Sequence, residues 1–298
     1  MTTYPFISII TLNYNQIEVT CEFLESAKKL TYPNYEIILV DNASREDPTE
    51  RIRSEYPDVR LIVNEINHGF TGGNNIGIRA AEKADFVFIV NNDTEVTPDI
   101  LEKLLEPFEK DPKIGMVSPK IMYYDQPELI QYAGYTKINP FTGRNKTIGL
   151  FEIDKGQHDN PGYTNYAHGA AILVKREVIE NVGMFPEHFF IYYEELDWSA
   201  HTKRAGYEIF YQPEAVIYHK ESITMGKESA IKAYYHNRNR IMFMRRNSSK
   251  FEFAIFVIFF SIFVIPKNFI KYLVKGQTTH LKNFIKGLVW NLKTPKYI

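Results

Sequence analysis

Phe6-Ile-Ser-Ile-Ile-Thr-Leu12, followed at once by Asn13-Tyr14-Asn15, is the stretch from which the fold is read. A short apolar run rich in Ile and closed by polar turn formers reads as a buried strand. Downstream, Gln16 to Leu30 has helical spacing, with Val19, Phe23, Leu24 and Ala27 on one side. Tyr35 to Val40 is a second buried strand ending at Asp41, Pro48 to Glu55 a helix, and Val59 to Val63 a third strand. Thr71 to Lys83 is helical, Phe86 to Val90 is a fourth strand, and Pro98 to Lys110 is a helix with proline near its first turn. Strands alternating with helices imply βαβ units and a largely parallel sheet. Ligands of such sheets bind at the carboxyl ends of the strands. The polar residues there are Asn13, Asp41, Asn64 to Asn67, and Asn91 to Glu95, which predicts one shared crevice.

Beyond residue 110 the pattern changes. Tyr123 to Tyr166 is loop-rich and holds two strand-like segments. Ala170 to Val174 reads as a strand with a short helix to Val182, Glu194 to Ala205 as a helix, and Glu208 to Tyr211 and Ala215 to His219 as strands. From about Gly226 the spacing is helical to the end, so the chain divides into 1–225 and a helical region, 226–298.

With 298 residues, 44% of them hydrophobic, and a net charge of −1, the chain is neither disordered nor a basic nucleic-acid binder. Cys21 stands alone, which excludes a disulfide framework and fits a reducing, cytoplasmic compartment. The short polar start does not read as a signal peptide. The overall charge hides an asymmetry: Pro266 to Ile298 holds seven Lys and no Asp or Glu, leaving 28 basic and 36 acidic residues in the other 265. Phe253 to Ile265 is free of charge for 13 residues, short of the roughly 20 that span a bilayer. Beyond Pro266, Lys recurs among Phe, Ile, Leu, Val and Trp290, a basic amphipathic pattern that suits anionic lipid head groups. The expectation is a peripheral anchor on the inner face of the plasma membrane, with a re-entrant or short spanning helix as its variant. A helical bundle or a homodimer interface is the plainer alternative.

Five constellations could carry chemistry. Asn91-Asn92-Asp93-Thr94-Glu95 follows a strand and offers two carboxylates two residues apart, a donor set for a hard divalent cation and, through it, a diphosphate; a turn before a capped helix is the plainer reading. Asn67-His68-Gly69-Phe70-Thr71-Gly72-Gly73-Asn74-Asn75 permits close backbone approach before a helix N-terminus. It is neither a P-loop nor a Gly-x-Gly-x-x-Gly turn after the first strand, which argues against a dinucleotide oxidoreductase. Tyr192-Tyr193-Glu194-Glu195-Leu196-Asp197-Trp198 sets three carboxylates among apolar residues; helical spacing puts Glu194, Asp197 and Trp198 on one face and Glu195 elsewhere. A carboxylate beside apolar rings is a better proton acceptor near neutral pH, although acids also favour a helix N-terminus for its dipole. His219 ends a strand and is a candidate third ligand for the cation. Arg238 and Arg240 could pair with phosphates, or lie on a solvated helix face.

Taken together and in order, these motifs resemble the family 2 glycosyltransferases, and most of all their bacterial rhamnosyltransferase-like branch. Ser8-Ile-Ile-Thr-Leu-Asn-Tyr-Asn15, Ile37-Ile-Leu-Val-Asp-Asn-Ala-Ser44, the Asn67–Gly77 segment, Val90-Asn-Asn-Asp-Thr-Glu-Val96, Gly169–Phe185, Phe190–Trp198 and Arg204–His219 carry the likeness, which spans roughly Ile7 to His219. The resemblance implies a GT-A fold: a Rossmann-like α/β, mixed, mostly parallel sheet flanked by helices, here with a C-terminal helical amphipathic extension. It implies Asp41 at the base or ribose, with Thr11 and Asn13 in the same pocket. Gly72, Asn74, Asn75 and Asn92 would lie at the donor, Asp93, Glu95 and His219 at Mg²⁺ or Mn²⁺, and Glu195 would be the catalytic base, with Glu194 or Asp197 in reserve. The implied reaction is inverting transfer from a nucleotide-sugar (dTDP-rhamnose or a UDP-hexose) to a hydroxyl of a glycan or lipid-diphosphate-linked acceptor of bacterial cell-surface polysaccharide. A sugar nucleotidyltransferase and a non-catalytic carbohydrate- or membrane-binding protein are the alternatives.

Overall fold

The computed structural model describes residues 4–220 and 229–294. Two compact units emerge: a sheet unit of residues 4–136, 147–190 and 194–220, and a helical unit of residues 137–146, 191–193 and 229–294. The boundary expected at 225/226 and Lys296 of the basic tail lie outside the described residues.

The sheet unit runs β1 (Ile7–Asn13), α1 (Ile17–Ala27), β2 (Tyr35–Asp41), α2 (Thr49–Glu55), β3 (Val59–Val63), α3 (Gly69–Ala80), β4 (Phe86–Val90), β5 (Thr94–Val96), α4 (Ile100–Lys110), β6 (Ile114–Tyr123), β7 (Ile130–Tyr132), β8 (Gly162–Thr164), β9 (Ala171–Lys175), α5 (Arg176–Val182), α6 (Glu194–Arg204) and β10 (Glu208–His219). Strand order is β3-β2-β1-β4-β9-β6-β10-β5, with β7 on β6 and β8 on β10. The first four strands are mutually parallel, while β9 is antiparallel to both neighbours and β5 antiparallel to β10. This is the mixed, mostly parallel sheet that the resemblance implies. The chain leaves β1 toward β2 and β3, then returns to place β4 on the other side of β1. The carboxyl ends of β1 and β4 therefore flank a topological switch point.

Strand alternation builds a core on each face. Ile7 and Ile9 of β1, with Phe88 and Val90 of β4, pack with Phe23 and Leu24 of α1 and Leu101 and Leu104 of α4. Ile10, Val87 and Ile89 point the other way, onto Ile78 of α3, Val178 of α5 and Trp198 of α6. Gly77 allows α3 to sit this close, since a Cβ there would lie 2.5 Å from Ile10 Cγ2.

Two elements differ from the sequence reading. β6 was not expected, because its segment contains Pro119 and Lys120. The proline sits where the β6–β10 register shifts, between Gln212 and Val216. Buried Lys120 is bonded by Asp154 at 2.8 Å and by Asp159. The same shift explains why Glu208–Tyr211 and Ala215–His219 form one strand rather than two.

The helical unit contains α7 (Ala230–Asn247), α8 (Lys250–Phe259), a π-helical turn (Phe260–Val264), α9 (Ile265–Val274) and α10 (Thr278–Lys293). A capping box of Ser249 and Glu252 starts α8. Pro266 does not stop this helix. It falls in the first turn of α9, and the π turn before it absorbs the lost backbone donor. Lys250–Val274 is thus continuous over 25 residues and long and apolar enough to cross a membrane, about 37 Å at the helical rise. The 13-residue limit read from Phe253 to Ile265 is corrected accordingly. α10 packs on α7 through Gly287, where a Cβ would lie 2.9 Å from the Tyr234 carbonyl, and through Asn291 Nδ2, which donates to Arg238 O at 3.0 Å. Neither Arg238 nor Arg240 of α7 lies on a solvated face: both are buried.

Candidate active site

Strand ends β1, β2 and β4 are tied together by one buried polar network. Asp41 Oδ1 accepts from Asn13 Nδ2 at 2.7 Å and from Ser44 Oγ at 2.6 Å, and its Oδ2 accepts from Ser44 N at 2.9 Å. Asn13 Oδ1 in turn accepts from Thr20 Oγ1 (3.0 Å), which accepts from Asn92 Nδ2 (2.8 Å). The expected convergence of Asn13, Asp41 and Asn92 is therefore present. Asp41 keeps acceptor capacity beyond its three donors, whereas both ends of the Asn13 amide are engaged. Asn13 orients Asp41 and stands beside it, as the shared pocket expects. Thr11 is fully buried beside them, and its Oγ1 has no hydrogen-bond partner among the described residues.

The glycine- and asparagine-rich motif does other work than expected. Asn75 Nδ2 donates to Phe185 O at 2.8 Å and to Glu187 Oε1 at 3.0 Å, while its Oδ1 accepts from Phe185 N. Asn74 Nδ2 bonds back to Phe70 O in its own helix. A Cβ at Gly72 would lie 2.7 Å from His68 Cβ. Of Gly72, Asn74 and Asn75, expected at the donor, Asn75 pins Phe185 and Glu187 with its amide, and Asn74 uses its Nδ2 within α3.

Asp93 and His219 meet. His219 Nε2 lies 3.2 Å from Asp93 Oδ1, and both residues are buried. On the far side of the ring, Nδ1 lies 2.8 Å from Gln131 Oε1. A carbonyl oxygen can only accept, so the Nδ1 proton is donated to Gln131 and the Nε2 lone pair of neutral His219 faces Asp93. Two buried acceptors facing each other across 3.2 Å need a proton or a cation between them, and neither atom has another hydrogen-bond partner among the described residues. Burial raises the Asp93 pKa; a proton held on His219 Nε2 outweighs it through its hydrogen bond and charge and brings the carboxyl below its usual range, so without a cation a proton bridges the pair. The donor set, one carboxylate and one imidazole whose tautomer is fixed from behind, fits a divalent metal.

Glu95 does not join them. In the β5–β10 pairing Thr94 opposes His219 and Glu95 opposes Tyr218. Directly opposed residues share a face, so Glu95 and His219 point to opposite faces. The Glu95 carboxylate lies 3.9 Å from Lys220 Nζ. Among the described residues no three His, Cys, Asp or Glu side chains gather to hold a metal. The expected triad of ligands is corrected to a pair.

The start of α6 sorts its acids by burial. Glu194, Asp197 and Trp198 face inward, with Asp197 fully buried and Trp198 Nε1 donating to Gly183 O at 2.8 Å. Glu195 is partly exposed. Burial, with the charge of Glu195 beside it, pushes the Glu194 carboxyl well above the usual range. Asp197 Oδ2 lies 3.6 Å from His201 Nε2. Of the three acids Glu195 is the least buried.

Residues the sequence reading passed over lie between Glu195 and His219. The Glu195 stem lies against Gly169, where a Cβ would be 3.7 Å from its Cγ. His168 stands next to that glycine, its ring 6.4 Å from the His219 ring and stacked on Tyr135 at 5.8 Å. Burial pushes the Tyr135 hydroxyl well above its ordinary pKa, and the Glu195 charge adds to the shift. His168 Nδ1 accepts from Ala170 N at 3.1 Å, so the proton sits on Nε2. Burial and the neighbouring His219 lower its pKa to about 3, so His168 is a neutral N–H donor between the two acidic groups. Its only sequence signal was its place just before Gly169-Ala-Ala, ahead of a strand.

Comparison with known proteins finds glycosyltransferases. The chain is 25% identical over 242 residues to the N-acetylglucosaminyl-diphospho-decaprenol L-rhamnosyltransferase of Mycobacterium tuberculosis, covering 74% of this chain and 78% of that one. It is 28% identical over 213 residues to the O-antigen chain rhamnosyltransferase WbaN of Salmonella anatum, covering 70% and 63%. In fold it is similar to GalNAc-T7, solved with UDP, GalNAc and Mn²⁺ (TM-score 0.66, 18% identity, covering 98% of this chain and 58% of that one). A second neighbour is the mannosyltransferase PcManGT of Pyrobaculum calidifontis, solved with GDP-Man and Mn²⁺ (TM-score 0.60, 17% identity, 98% and 88%). The family model for glycosyl transferase family 2 matches residues 8–183, and with the site assembled at its strand ends the chain belongs to that family, in the rhamnosyltransferase-like branch.

Proposed function

We propose that this glycosyltransferase transfers a sugar, with inversion, from a nucleoside diphosphate donor to a hydroxyl of a glycan or lipid-diphosphate-linked acceptor of the cell surface. The observation that carries the reading is the pair of facing acceptors, Asp93 Oδ1 and His219 Nε2. Asp93 and His219 would hold Mg²⁺ or Mn²⁺, which supplies charge neutralisation on a departing diphosphate. Asp41, oriented by Asn13 and Ser44, faces the base or ribose with its remaining lone pairs, and Thr11 Oγ1 lies beside it. Glu195 accepts the proton of the acceptor hydroxyl as that oxygen forms its bond to the anomeric carbon and the bond to the diphosphate breaks on the opposite face. His168 holds a neutral N–H toward the reacting groups. Rhamnose from a dTDP donor is the first candidate, because the relatives named above are rhamnosyltransferases, one with a lipid diphosphate in its acceptor; a UDP-hexose is the second.

A thermal-shift series with dTDP, UDP and GDP, each with and without Mn²⁺ or Mg²⁺, tests the donor side. Stabilisation should grow with the logarithm of nucleotide concentration and should need the cation. Equal stabilisation by all three with and without metal would count against the reading. The Lys250–Val274 helix, with exposed Ile258, Ile262, Phe263 and Ile270, and the lysines beyond it support attachment to the inner face of the plasma membrane. Full-length protein should float with phosphatidylglycerol vesicles, and its remaining at the bottom of the gradient would remove that attachment.

A further inference from the structure

Immediately before Glu194 the backbone adopts a shape that L-residues avoid. Phe190, Tyr192 and Tyr193 have φ of 65°, 71° and 73°, and bulky side chains are sterically disfavoured in that left-handed region. Such geometry persists only where its surroundings over-determine it, and it collects at functional sites. Ile191–Tyr193 packs with the helical unit rather than with the sheet that precedes and follows it in the chain. What fixes it there is Asn239 of α7, fully buried, whose Nδ2 donates to Ile191 O and to Tyr192 O, each at 2.8 Å. Arg238 Nε donates to Asn239 Oδ1 at 2.7 Å. A guanidinium only donates, so the amide must turn its NH₂ to the two carbonyls. The Arg238 guanidinium is itself held, its central carbon 4.7 Å from the ring centres of both Tyr235 and Trp290. The Tyr192 ring lies 4.4 Å from the His236 ring.

We propose that Asn239 is a positioning residue for sugar transfer: it locks the strained Ile191–Tyr193 segment and, through the peptide bond into Glu194, restricts the first turn of the helix that carries Glu195. The proposal rests on the reading of Glu195 as the base. A reacting group freed by as little as about 1 Å costs on the order of 100-fold in rate, so the clamp should appear in turnover and leave donor binding alone.

The test compares full-length wild type with Asn239→Asp, which keeps the shape and loses both N–H donors. Three readouts are followed: amide hydrogen exchange of the 188–197 peptide, affinity for UDP or dTDP with Mn²⁺, and turnover of whichever nucleotide-sugar the wild type uses. Faster exchange confined to 188–197, by about tenfold, with turnover down about 100-fold and nucleotide affinity within twofold is the expected result. Asn237→Ala, whose amide bonds only within its own helix to Ala233 O, should leave all three unchanged. Unaltered exchange at 188–197 would overturn the proposal, and so would exchange rising equally across all peptides, which would mark Asn239 as merely structural. Should Asn239→Asp not fold, Tyr192→Gly relieves the φ cost while loosening the same segment, and the same exchange pattern decides. Glu195→Gln is run beside them. Full turnover there removes the base assignment but leaves the exchange result standing, whereas unaltered exchange in Asn239→Asp removes the clamp and leaves the base.

Discussion

Asn91–Glu95 and Glu194–Asp197 each bring carboxylates within three residues of one another, yet the fold treats them in opposite ways. In the first, a turn releases Asp93 from the pleat before β5 begins, so its side chain reaches His219 while Glu95 is carried to the other face. In the second, helical rotation buries Glu194 and Asp197 and leaves Glu195 partly exposed, against Gly169. One acid from each motif is thereby set apart for the proposed site. Spacing along the chain lists candidates, and the periodicity of the element that holds them selects among them.

That selection is sharpest in Asp93→Asn. The substitution keeps volume and removes charge opposite His219 Nε2. Turnover should fall by at least about 10³-fold, or about 4 kcal/mol of barrier, and the cation-dependent part of nucleotide stabilisation should vanish with it. Retained metal-dependent stabilisation would break the comparison at its first half. Glu195→Gln probes the second half and should separate the two roles. Loss of a general base costs about 10²–10⁴-fold, while nucleotide binding with Mn²⁺ should persist. Near-normal turnover would hand the proton to another group.

The buried member of the second motif leaves its mark on stability rather than rate. The Glu194 carboxyl is held well above its ordinary value of 4.5 by burial and by Glu195. Between 4.5 and its raised value the folded protein therefore binds a proton that the unfolded chain does not, and stability declines as pH rises through that window. Glu194→Gln has no such term. Its melting temperature relative to wild type should climb by a few degrees between pH 5 and pH 8. Parallel melting curves across that range would show that Glu194 is not held protonated.

Much of this arrangement was legible before any coordinates. Apolar runs such as Phe6–Leu12 and Phe86–Val90 could only be buried strands, and helical spacing already set Glu195 apart from Glu194, Asp197 and Trp198. What escaped notice has physical causes. β6 carries Pro119 and Lys120, which local propensity rejects and which only a register shift and two aspartates make acceptable. The helix that runs through Pro266 was read as a 13-residue apolar stretch because a π turn cannot be read from spacing. The amides of Asn74 and Asn75 looked like ligand contacts because sequence does not reveal that backbone carbonyls already use them. His168 sits in a loop with no periodicity, and its role depends on two rings, Tyr135 and His219, that come from distant strands and loops.

Glu95→Gln carries the smallest expected effect and the strictest demand on the geometry. Resemblance placed Glu95 second in an acidic pair at the metal, where its loss would cost about as much as that of Asp93. Pairing with β10 instead sets it opposite Tyr218, with its carboxylate 3.9 Å from Lys220 Nζ and more than a third exposed. An exposed ion pair of that length is worth little, at most about 1 kcal/mol, and glutamine retains the side chain's length. Turnover and the metal dependence of nucleotide binding should both stay within about threefold of wild type. A loss approaching that of Asp93→Asn would mean that β5 rotates or detaches when the donor binds, since its register with β10 cannot otherwise bring residue 95 to the face of His219.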